Sequence, residues 1–377
     1  MYHTLVILSI VVGALVSLTL LAQAATEAWG GPGAVGGPGD RGVRTGADRL
    51  DRFRHLTASR LGASVVFGQD PAADAFRAIY ALIDAEILDN LEAGNIFASE
   101  AFLQERLDAF NAVWGGGAFR ALVLPGGDLT VGSFQLSPLS RGNSVRVYRR
   151  ERDQAALLAT IHRDGVPTLY AMPSTRMGQS QFAILWVGPS TGRGTTAVRV
   201  EFWRERGGQV RLAWRFPDSL GRHLYATAYA ARGEEFTVRY EVRYPGWVPG
   251  CQGQTEREDI YRYDRASERF LLASHTVHNG WHRELHATLR RLLTALSEGD
   301  QHVLAELGLD RVAPRDLPPG LEPEPACDLV GPSAEEVTVT ATGPGDPHPW
   351  AFRFRRTPAG WRLAGLERLR YPGAMLK

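Results

Sequence analysis

Between residues 119 and 277 apolar side chains tend to recur at every second position, and this alternation constrains the fold more than any other feature. The clearest instance is 236–244, where the even positions are apolar and the odd positions are polar. A period of two is typical of strands with one buried face. Gly or Pro separates the candidate strands, and no helix-length segment interrupts them. The pattern predicts an antiparallel β-meander, closed or curled, of about eight to ten strands.

The segments on either side of this region have a helical period instead. Apolar residues at helical spacing predict helices from Phe76 to Leu91, from Leu103 to Trp114 and from Trp281 to Leu296. Three further strands are expected at the end of the chain, at 336–342, 350–357 and 361–369. The predicted fold class is therefore α+β. We expect a helical N-terminal part, an antiparallel β domain and a small C-terminal α+β module, at 47–118, 119–278 and 279–377 respectively.

The amino terminus predicts export from the cytoplasm. Residues 5–22 are apolar and uncharged, and Ala22-Gln23-Ala24 matches the small-x-small pattern of a signal-peptidase site. We therefore interpret 1–24 as a signal peptide, with an uncleaved membrane anchor as the alternative because the apolar run is long. The Gly- and Pro-rich segment 25–46 is expected to be a flexible tether. Either interpretation predicts a periplasmic or secreted protein.

The chain has two cysteines, Cys251 and Cys327. An oxidising compartment favours a disulfide between them, with two free buried thiols as the alternative. They do not form a C-x-x-C redox pair, and two cysteines alone cannot build a structural zinc site. Closing so long a loop would stabilise the fold by on the order of 4 kcal/mol in the chain-entropy model.

Composition excludes several functional classes. The formal net charge of +1 argues against a dedicated nucleic-acid-binding protein. Lys377 is the only lysine, which excludes a Walker A loop, a Schiff-base lysine and a Ser–Lys hydrolase. Gly188-Pro-Ser-Thr-Gly192 matches G-x-S-x-G, but strand-like sequence follows where a nucleophile elbow needs a helix. We therefore expect Ser190 to lie in a hairpin loop and predict no catalytic residue.

Histidines are concentrated where the β domain meets the following helix: His275, His278, His282 and His286. On a helix His282 and His286 lie four residues apart on one face, a spacing that can bind zinc or copper. His278 is the candidate third ligand if it lies just before the helix. The alternative, which the sequence favours, is that these imidazoles are structural and form hydrogen bonds to the β domain.

A group of carboxylates precedes the predicted strand that begins at Ile260. Glu256, Glu258 and Asp259 could act as an acid–base pair if burial separated their pKa values. In sequence they are expected to lie in an exposed loop, where solvated charges are the default.

The last part of the chain resembles the NTF2-like (SnoaL-like) α+β cone. The resemblance rests on a helix ending in Ala295–Asp300, a second short helix, then 352–356 and Gly360-Trp361-Arg362-Leu363. It covers under a quarter of the chain, and the segment departs from the family in having about three predicted strands. The family includes enzymes and non-catalytic modules, and no catalytic residue can be transferred to a position here.

These observations favour an exported cell-envelope protein that acts as a non-enzymatic binding or interaction module. Its expected partner is an envelope protein or ligand, with no cofactor and with membrane contact only through an uncleaved N-terminal segment. The alternative is a metal-dependent envelope hydrolase that uses zinc at the cluster between His275 and His286. A weaker alternative is a small-molecule pocket inside the C-terminal module.

Overall fold

The structure is a computed structural model that describes residues 41–60, 74–126, 128–137, 142–175, 177–218, 224–309, 317–318, 320–330, 335–345 and 348–369. It divides into two units, 1–49 and 50–377, the first of which is described only as the start of a helix. The predicted signal peptide and most of the predicted tether lie outside the described residues. None of the described helices is both long enough and apolar enough to cross a membrane.

In the part of the chain that the structure describes, three α-helices precede the first strand. They are α1 (Arg41–Arg60), α2 (Asp74–Ala93) and α3 (Glu100–Trp114), with a 3-10 turn at Asn95–Ala98 between the last two. Helix α1 begins inside the segment predicted to be a tether. The Ser99 hydroxyl caps α3 by accepting a hydrogen bond from the Phe102 N–H (3.3 Å), and Gly115, with φ 67°, ends it.

The first sheet has four antiparallel strands in sequential order: β1 (Ala118–Val123), β2 (Leu129–Gln135), β3 (Ser144–Glu151) and β4 (Gln154–His162). One face packs against α2 and α3, in a core that includes Ile79, Phe110 and Phe134. The other face packs against the second sheet, where Val147 meets Trp186 in a shared core. The four-stranded sheet is therefore a middle layer.

The second sheet has eight strands: β5 (Val166–Met172), β6 (Gln181–Ser190), β7 (Thr196–Arg206), β8 (Gln209–Phe216), β9 (Leu224–Arg232), β10 (Glu235–Glu241), β11 (Glu256–Asp264) and β12 (Arg269–His278). Their order is β12-β11-β10-β9-β7-β6-β5, and β8 also pairs with β7. Strand β9 pairs with residues 196–198 of β7, whereas β8 pairs with 200–206.

The second sheet curls because β8 and β9 share one edge of β7. The ring of Trp214 on β8 lies 5.1 Å from that of Phe270 on β12, and Phe216 lies 5.0 Å from Tyr261 on β11. The described part of the β region thus holds twelve strands in two sheets, where the sequence predicted eight to ten in one meander. The alternation could not reveal the division, because strands of either sheet alternate in the same way.

The chain ends in a small α+β module. Its elements are α4 (Gly280–Glu298), α5 (Gln301–Leu307), β13 (Glu322–Pro323), β14 (Leu329–Val330), β15 (Glu336–Thr342), β16 (Trp350–Thr357) and β17 (Gly360–Arg368). The sheet order is β13-β15-β16-β17, with β14 also on β15. Leu289 of α4 packs against Phe352 and Phe354 of the sheet. Two short strands, β13 and β14, add to the three that the sequence predicted.

The architecture is therefore mixed α+β with a β-rich body, as the sequence predicted at this level. In the described residues, strands of antiparallel sheets hold more residues than the five α-helices do.

Candidate functional site

Two histidines and one aspartate converge where the C-terminal module meets the eight-stranded sheet. We call His282, His286 and Asp328 the His–Asp cluster. One potential ligand atom from each residue lies within 4.8 Å of the others. The histidines lie in the first two turns of α4, and Asp328 comes directly before β14, 42 residues beyond His286. Helix spacing brings the imidazoles together, and tertiary structure adds the carboxylate.

Both imidazoles point the same nitrogen at the same oxygen. His282 Nε2 lies 2.8 Å from Asp328 Oδ2, and His286 Nε2 lies 2.7 Å from it. The two rings stack, with centroids 4.7 Å apart and planes inclined by 30°. This follows from their positions at i and i+4, which place the side chains one above the other on α4.

The far side of the His282 ring is held by Tyr244, which lies in the loop between β10 and β11. The Tyr244 hydroxyl forms a short hydrogen bond with His282 Nδ1 and accepts one from the Thr255 N–H at 3.3 Å. Burial raises the pKa of Tyr244, the Thr255 amide opposes this, and the charge of Asp328 adds to it. The phenol is therefore protonated at neutral pH and can donate to the imidazole.

Thr255 joins the same loop to the first turn of α4. Its hydroxyl donates to the Asn279 carbonyl (2.8 Å) and accepts from the Arg283 N–H (3.2 Å). Thr255 itself is fully buried. The loop that carries Tyr244 is therefore fixed relative to the helix that carries the histidines.

A tight turn at Tyr244-Pro245-Gly246-Trp247 lets the backbone approach His286. The Trp247 N–H donates to the Tyr244 carbonyl at 2.9 Å, and Gly246 has φ +97°. A Cβ on Gly246 would lie 1.9 Å from His286 Nδ1. Glycine is required for both reasons: the positive φ and the space that the imidazole occupies.

A disulfide joins Cys251 to Cys327, as the sequence predicted, with the two Cα atoms 5.3 Å apart. Cys251 belongs to the loop that carries Tyr244, and Cys327 is the residue before Asp328. Gln254 stiffens the loop, since its side-chain Oε1 accepts from the Val248 N–H (2.8 Å) and its Nε2 donates to the Cys251 carbonyl (3.1 Å). The disulfide therefore anchors the aspartate to a rigid loop.

The cluster is closed to solvent. The side chains of His282, His286 and Asp328 are 5%, 4% and 5% exposed. Burial alone would raise the pKa of the Asp328 carboxyl, but hydrogen bonds from both imidazoles outweigh it and hold that pKa below its ordinary value. Two imidazole nitrogens and an ionised carboxylate form a donor set that suits Zn²⁺ and related ions, and they also satisfy one another by hydrogen bonds.

The other predicted histidines lie outside the His–Asp cluster. His278 ends β12 with its Nε2 3.3 Å from Glu258 Oε2. His275 is exposed on β12 and pairs in register with Asp259 of β11. The position that the sequence offered to His278 as third ligand is thus taken by Asp328, which sequence reasoning missed. Its only signal was adjacency to a predicted disulfide cysteine.

The predicted hairpin at Ser190 is present. Ser190 ends β6, the chain turns directly into β7, and its hydroxyl lies 3.0 Å from that of Thr196. No helix follows the serine, so the geometry of a nucleophile elbow is absent at this described position.

The carboxylates expected in a loop before a strand lie on β11 itself, so that prediction was wrong. Glu256 Oε2 accepts from Arg239 Nε at 2.7 Å, and the buried Asp259 accepts from Arg257 Nε at 2.6 Å. Glu256 and Asp259 are thus paired with arginines, and Glu258 lies beside His278, so none of the three is left unpaired as an acid–base pair would need.

Comparison with known proteins adds little. No protein-family model matches the chain, and no curated protein matches it. A crystal structure of a protein from Lactobacillus plantarum is similar over 64% of this chain, at 10% identity and a TM-score of 0.22. The match spans 53% of that protein, about half its length. Because so low a TM-score carries no argument, a functional proposal depends on the geometry of the chain itself.

Proposed function

We propose that this chain is an exported cell-envelope protein that acts by binding rather than by catalysis. The observation that carries the proposal is the closure of the His–Asp cluster. Among the described residues it is the group of side chains whose donor set most resembles a catalytic centre. It lies behind Tyr244, Gly246 and the ring of Trp281, whose centroid is 5.3 Å from that of His282.

Closure argues against the alternative of a metal-dependent hydrolase. A hydrolytic zinc keeps one coordination position open to water and substrate. Side chains that are at most 5% exposed leave no surface on which a substrate could reach such a position. We therefore assign the His–Asp cluster a structural role: with the disulfide, it fixes the C-terminal module on the β body.

A different surface supports binding. Tyr229 on β9 and Leu272 and Val277 on β12 are about two-fifths exposed. Pairing in register places all three on one face of the curled sheet. The row His275, Asp259, Val238 and Tyr229 shows this, and the buried Asp259 and Val238 lie between the exposed strands β12 and β9. Exposed apolar patches commonly mark sites of interaction. We name Tyr229, Leu272 and Val277 the apolar face.

The proposal keeps the predicted layout of signal peptide or anchor, tether, helical region, β domain and NTF2-like module. A disulfide between the only two cysteines supports an oxidising, extracytoplasmic location. The partner is then an envelope protein or ligand, and attachment to the membrane depends on whether residues 1–24 are retained.

The first experiment tests catalysis. Oxidised protein supplemented with zinc is assayed on p-nitrophenyl acetate, bis-p-nitrophenyl phosphate and casein, beside a variant carrying both His282→Ala and His286→Ala. We expect equal background rates for the two proteins. A rate that exceeds background and disappears in the double variant would overturn the proposal and favour the hydrolase.

The second experiment tests the apolar face, with 1-anilinonaphthalene-8-sulfonate as the probe. We expect saturable binding that Tyr229→Ser and Leu272→Ser weaken severalfold, because each removes exposed apolar area from one face. Ile96→Ser is the matched control, since Ile96 is an exposed apolar residue on the 3-10 turn. Equal binding by all four proteins would contradict the assignment of the apolar face.

A further inference from the structure

We propose that the His–Asp cluster is a binding site for a zinc-class transition-metal ion, with ligands His282 Nε2, His286 Nε2 and Asp328 Oδ2, and that the Cys251–Cys327 disulfide is needed to complete it. This goes beyond the proposed function, because a binding protein needs no metal. The two can fail separately: catalysis is tested by turnover, and the metal site is tested by binding.

The ligand atoms already lie close to the arrangement that an ion needs. Both Nε2 atoms are within 2.8 Å of Asp328 Oδ2, and all three atoms are within 4.8 Å of one another. Zinc binds nitrogen and oxygen ligands at about 2.0–2.2 Å, so small side-chain movements place one ion between them. Helix α4 fixes the spacing of the imidazoles in advance.

The surroundings orient the two rings as a metal site requires. Tyr244 meets the Nδ1 of His282, the nitrogen that points away from the cluster. A tyrosine hydroxyl can donate to this nitrogen or accept from it, so the contact suits either tautomer. The ring of His286 is held against the backbone of Gly246, where no side chain would fit. Each imidazole therefore presents Nε2 with little loss of freedom on binding.

The donor set selects the class of metal. Calcium and magnesium prefer sites built from oxygen alone, whereas two imidazoles with one carboxylate suit zinc, cobalt, nickel and copper. Three protein ligands leave a fourth tetrahedral position, which a water enclosed with the ion would fill; the closure of the cluster still keeps substrate from that position. The chain offers no cysteine thiolate to fill it, because Cys251 and Cys327 are bonded to each other.

The disulfide controls the third ligand. Asp328 lies between Cys327 and β14, a strand of two residues, so the covalent bond to Cys251 is its strongest anchor near α4. Reduction would release the aspartate and leave two helix-borne imidazoles, which bind an ion far more weakly than three ligands. By reciprocity, bound metal favours the oxidised form. The site thus forms only where the disulfide forms.

The test uses the oxidised, metal-stripped protein titrated with Zn²⁺ by calorimetry and with Co²⁺ by visible absorption. We expect one ion per chain and the intense visible bands of tetrahedral cobalt. His282→Ala, His286→Ala and Asp328→Asn should each weaken binding by about 100-fold or more. His278→Ala and His302→Ala should bind as the parent does, since these residues lie outside the His–Asp cluster.

A second arm isolates the disulfide. The Cys251→Ser, Cys327→Ser variant and the reduced parent should both bind zinc at least about 10-fold more weakly than the oxidised parent. Circular dichroism confirms that each variant is folded. Asp328→Asn keeps the shape of the side chain, whereas His286→Ala leaves a cavity in the site. Absence of stoichiometric zinc binding by the oxidised parent, or full affinity in Asp328→Asn, overturns the metal site. Equal affinity in reduced and oxidised protein overturns the role of the disulfide.

Discussion

Two aspartates with little solvent exposure have opposite kinds of partner. Asp84 on α2 accepts from Arg146 Nε at 2.6 Å, forms a second short bond to the same guanidinium, and accepts from the Tyr148 hydroxyl at 2.7 Å. Asp328 accepts from two imidazoles. A guanidinium is permanently charged and has no lone pair to offer, whereas an imidazole can release its proton and bind an ion. Asp84 and its arginine partner therefore satisfy each other's hydrogen bonds and charge. In the His–Asp cluster, by contrast, the imidazoles can lose their Nε2 protons and bind a metal ion instead.

The two sites also differ in how the chain builds them. Asp84 is carried by a helix of 20 residues whose apolar side packs on the four-stranded sheet. Asp328 precedes a strand of two residues and is secured by the disulfide. A carboxylate on a packed helix keeps its position under any redox condition. The position of Asp328 depends on oxidation.

The largest expected effect is that of Asp84→Ala on stability. The change leaves the guanidinium of Arg146, with a side chain only 9% exposed, without its counter-ion. Removing one partner of a buried ion pair costs about 3–5 kcal/mol. Urea unfolding measures it. Glu151→Ala is the matched control, because Glu151 pairs with Arg149 at the surface and should cost less than about 0.5 kcal/mol. Similar losses of unfolding free energy in Asp84→Ala and Glu151→Ala would contradict the expected difference between a buried and a surface ion pair.

Tyr244→Phe should weaken zinc binding by about 10–100-fold without removing a ligand. The variant loses the hydroxyl that orients His282 through Nδ1, while the ring still fills the same space. Calorimetric titration of the oxidised protein measures the change. Tyr225→Phe is the control, since Tyr225 is exposed on β9. Unchanged affinity in Tyr244→Phe would show that the hydroxyl does not position the ring.

Asp328→Ala, studied with a chelator present, should lower the free energy of unfolding by about 1–2 kcal/mol, which is less than the loss expected for Asp84→Ala. The reason is that the variant leaves two buried imidazole N–H groups without an acceptor, whereas Asp84→Ala leaves a permanently charged guanidinium without its counter-ion. Urea unfolding of the two alanine variants under one set of conditions makes the comparison direct. A loss as large as that of Asp84→Ala would contradict the expected difference between the two aspartates.

The sequence could predict two of the three residues of the His–Asp cluster. His282 and His286 lie on one helix, so their spacing alone places them on one face. Asp328 depends on a tertiary connection between segments whose approach no local pattern encodes. The predicted disulfide placed it near Cys251, but nothing in the spacing of residues places Cys251 near α4.

In the fold, too, local elements could be predicted from the sequence and tertiary connections could not. Alternation between 119 and 277 predicted a single meander, yet β4 and β5 belong to different sheets, because packing decides where a chain crosses between layers. Alternation also failed at Glu256–Asp259. Charged side chains occupy both faces of β11 there, so the period of two is hidden although the strand is present.

Asp259 repeats the chemistry of Asp84, but its arginine partner is more exposed: the side chain of Arg257 is 36% exposed and that of Arg146 is 9% exposed. It accepts from Arg257 and from the Tyr240 hydroxyl at 2.9 Å. Burial, together with the hydrogen bond and charge of Asp259, raises the pKa of Tyr240 to about 12. A raised pKa in the folded state stabilises the protein fully below about pH 10, the value for unfolded tyrosine, and this contribution disappears as the pH rises through about 12.

Tyr240→Phe therefore gives the smallest predicted effect, a loss of about 1 kcal/mol near pH 8. The difference in unfolding free energy between parent and variant should shrink steadily between about pH 10 and pH 12. Other tyrosines with raised pKa values, including Tyr170 and Tyr261, are common to both proteins and cancel in this difference. A difference that stayed constant to pH 12 would place Tyr240 among ordinary exposed tyrosines. It would also limit the stabilising carboxylate–arginine–tyrosine arrangement to Asp84, whose partners Arg146 and Tyr148 are both buried, and this would sharpen the contrast with Asp328.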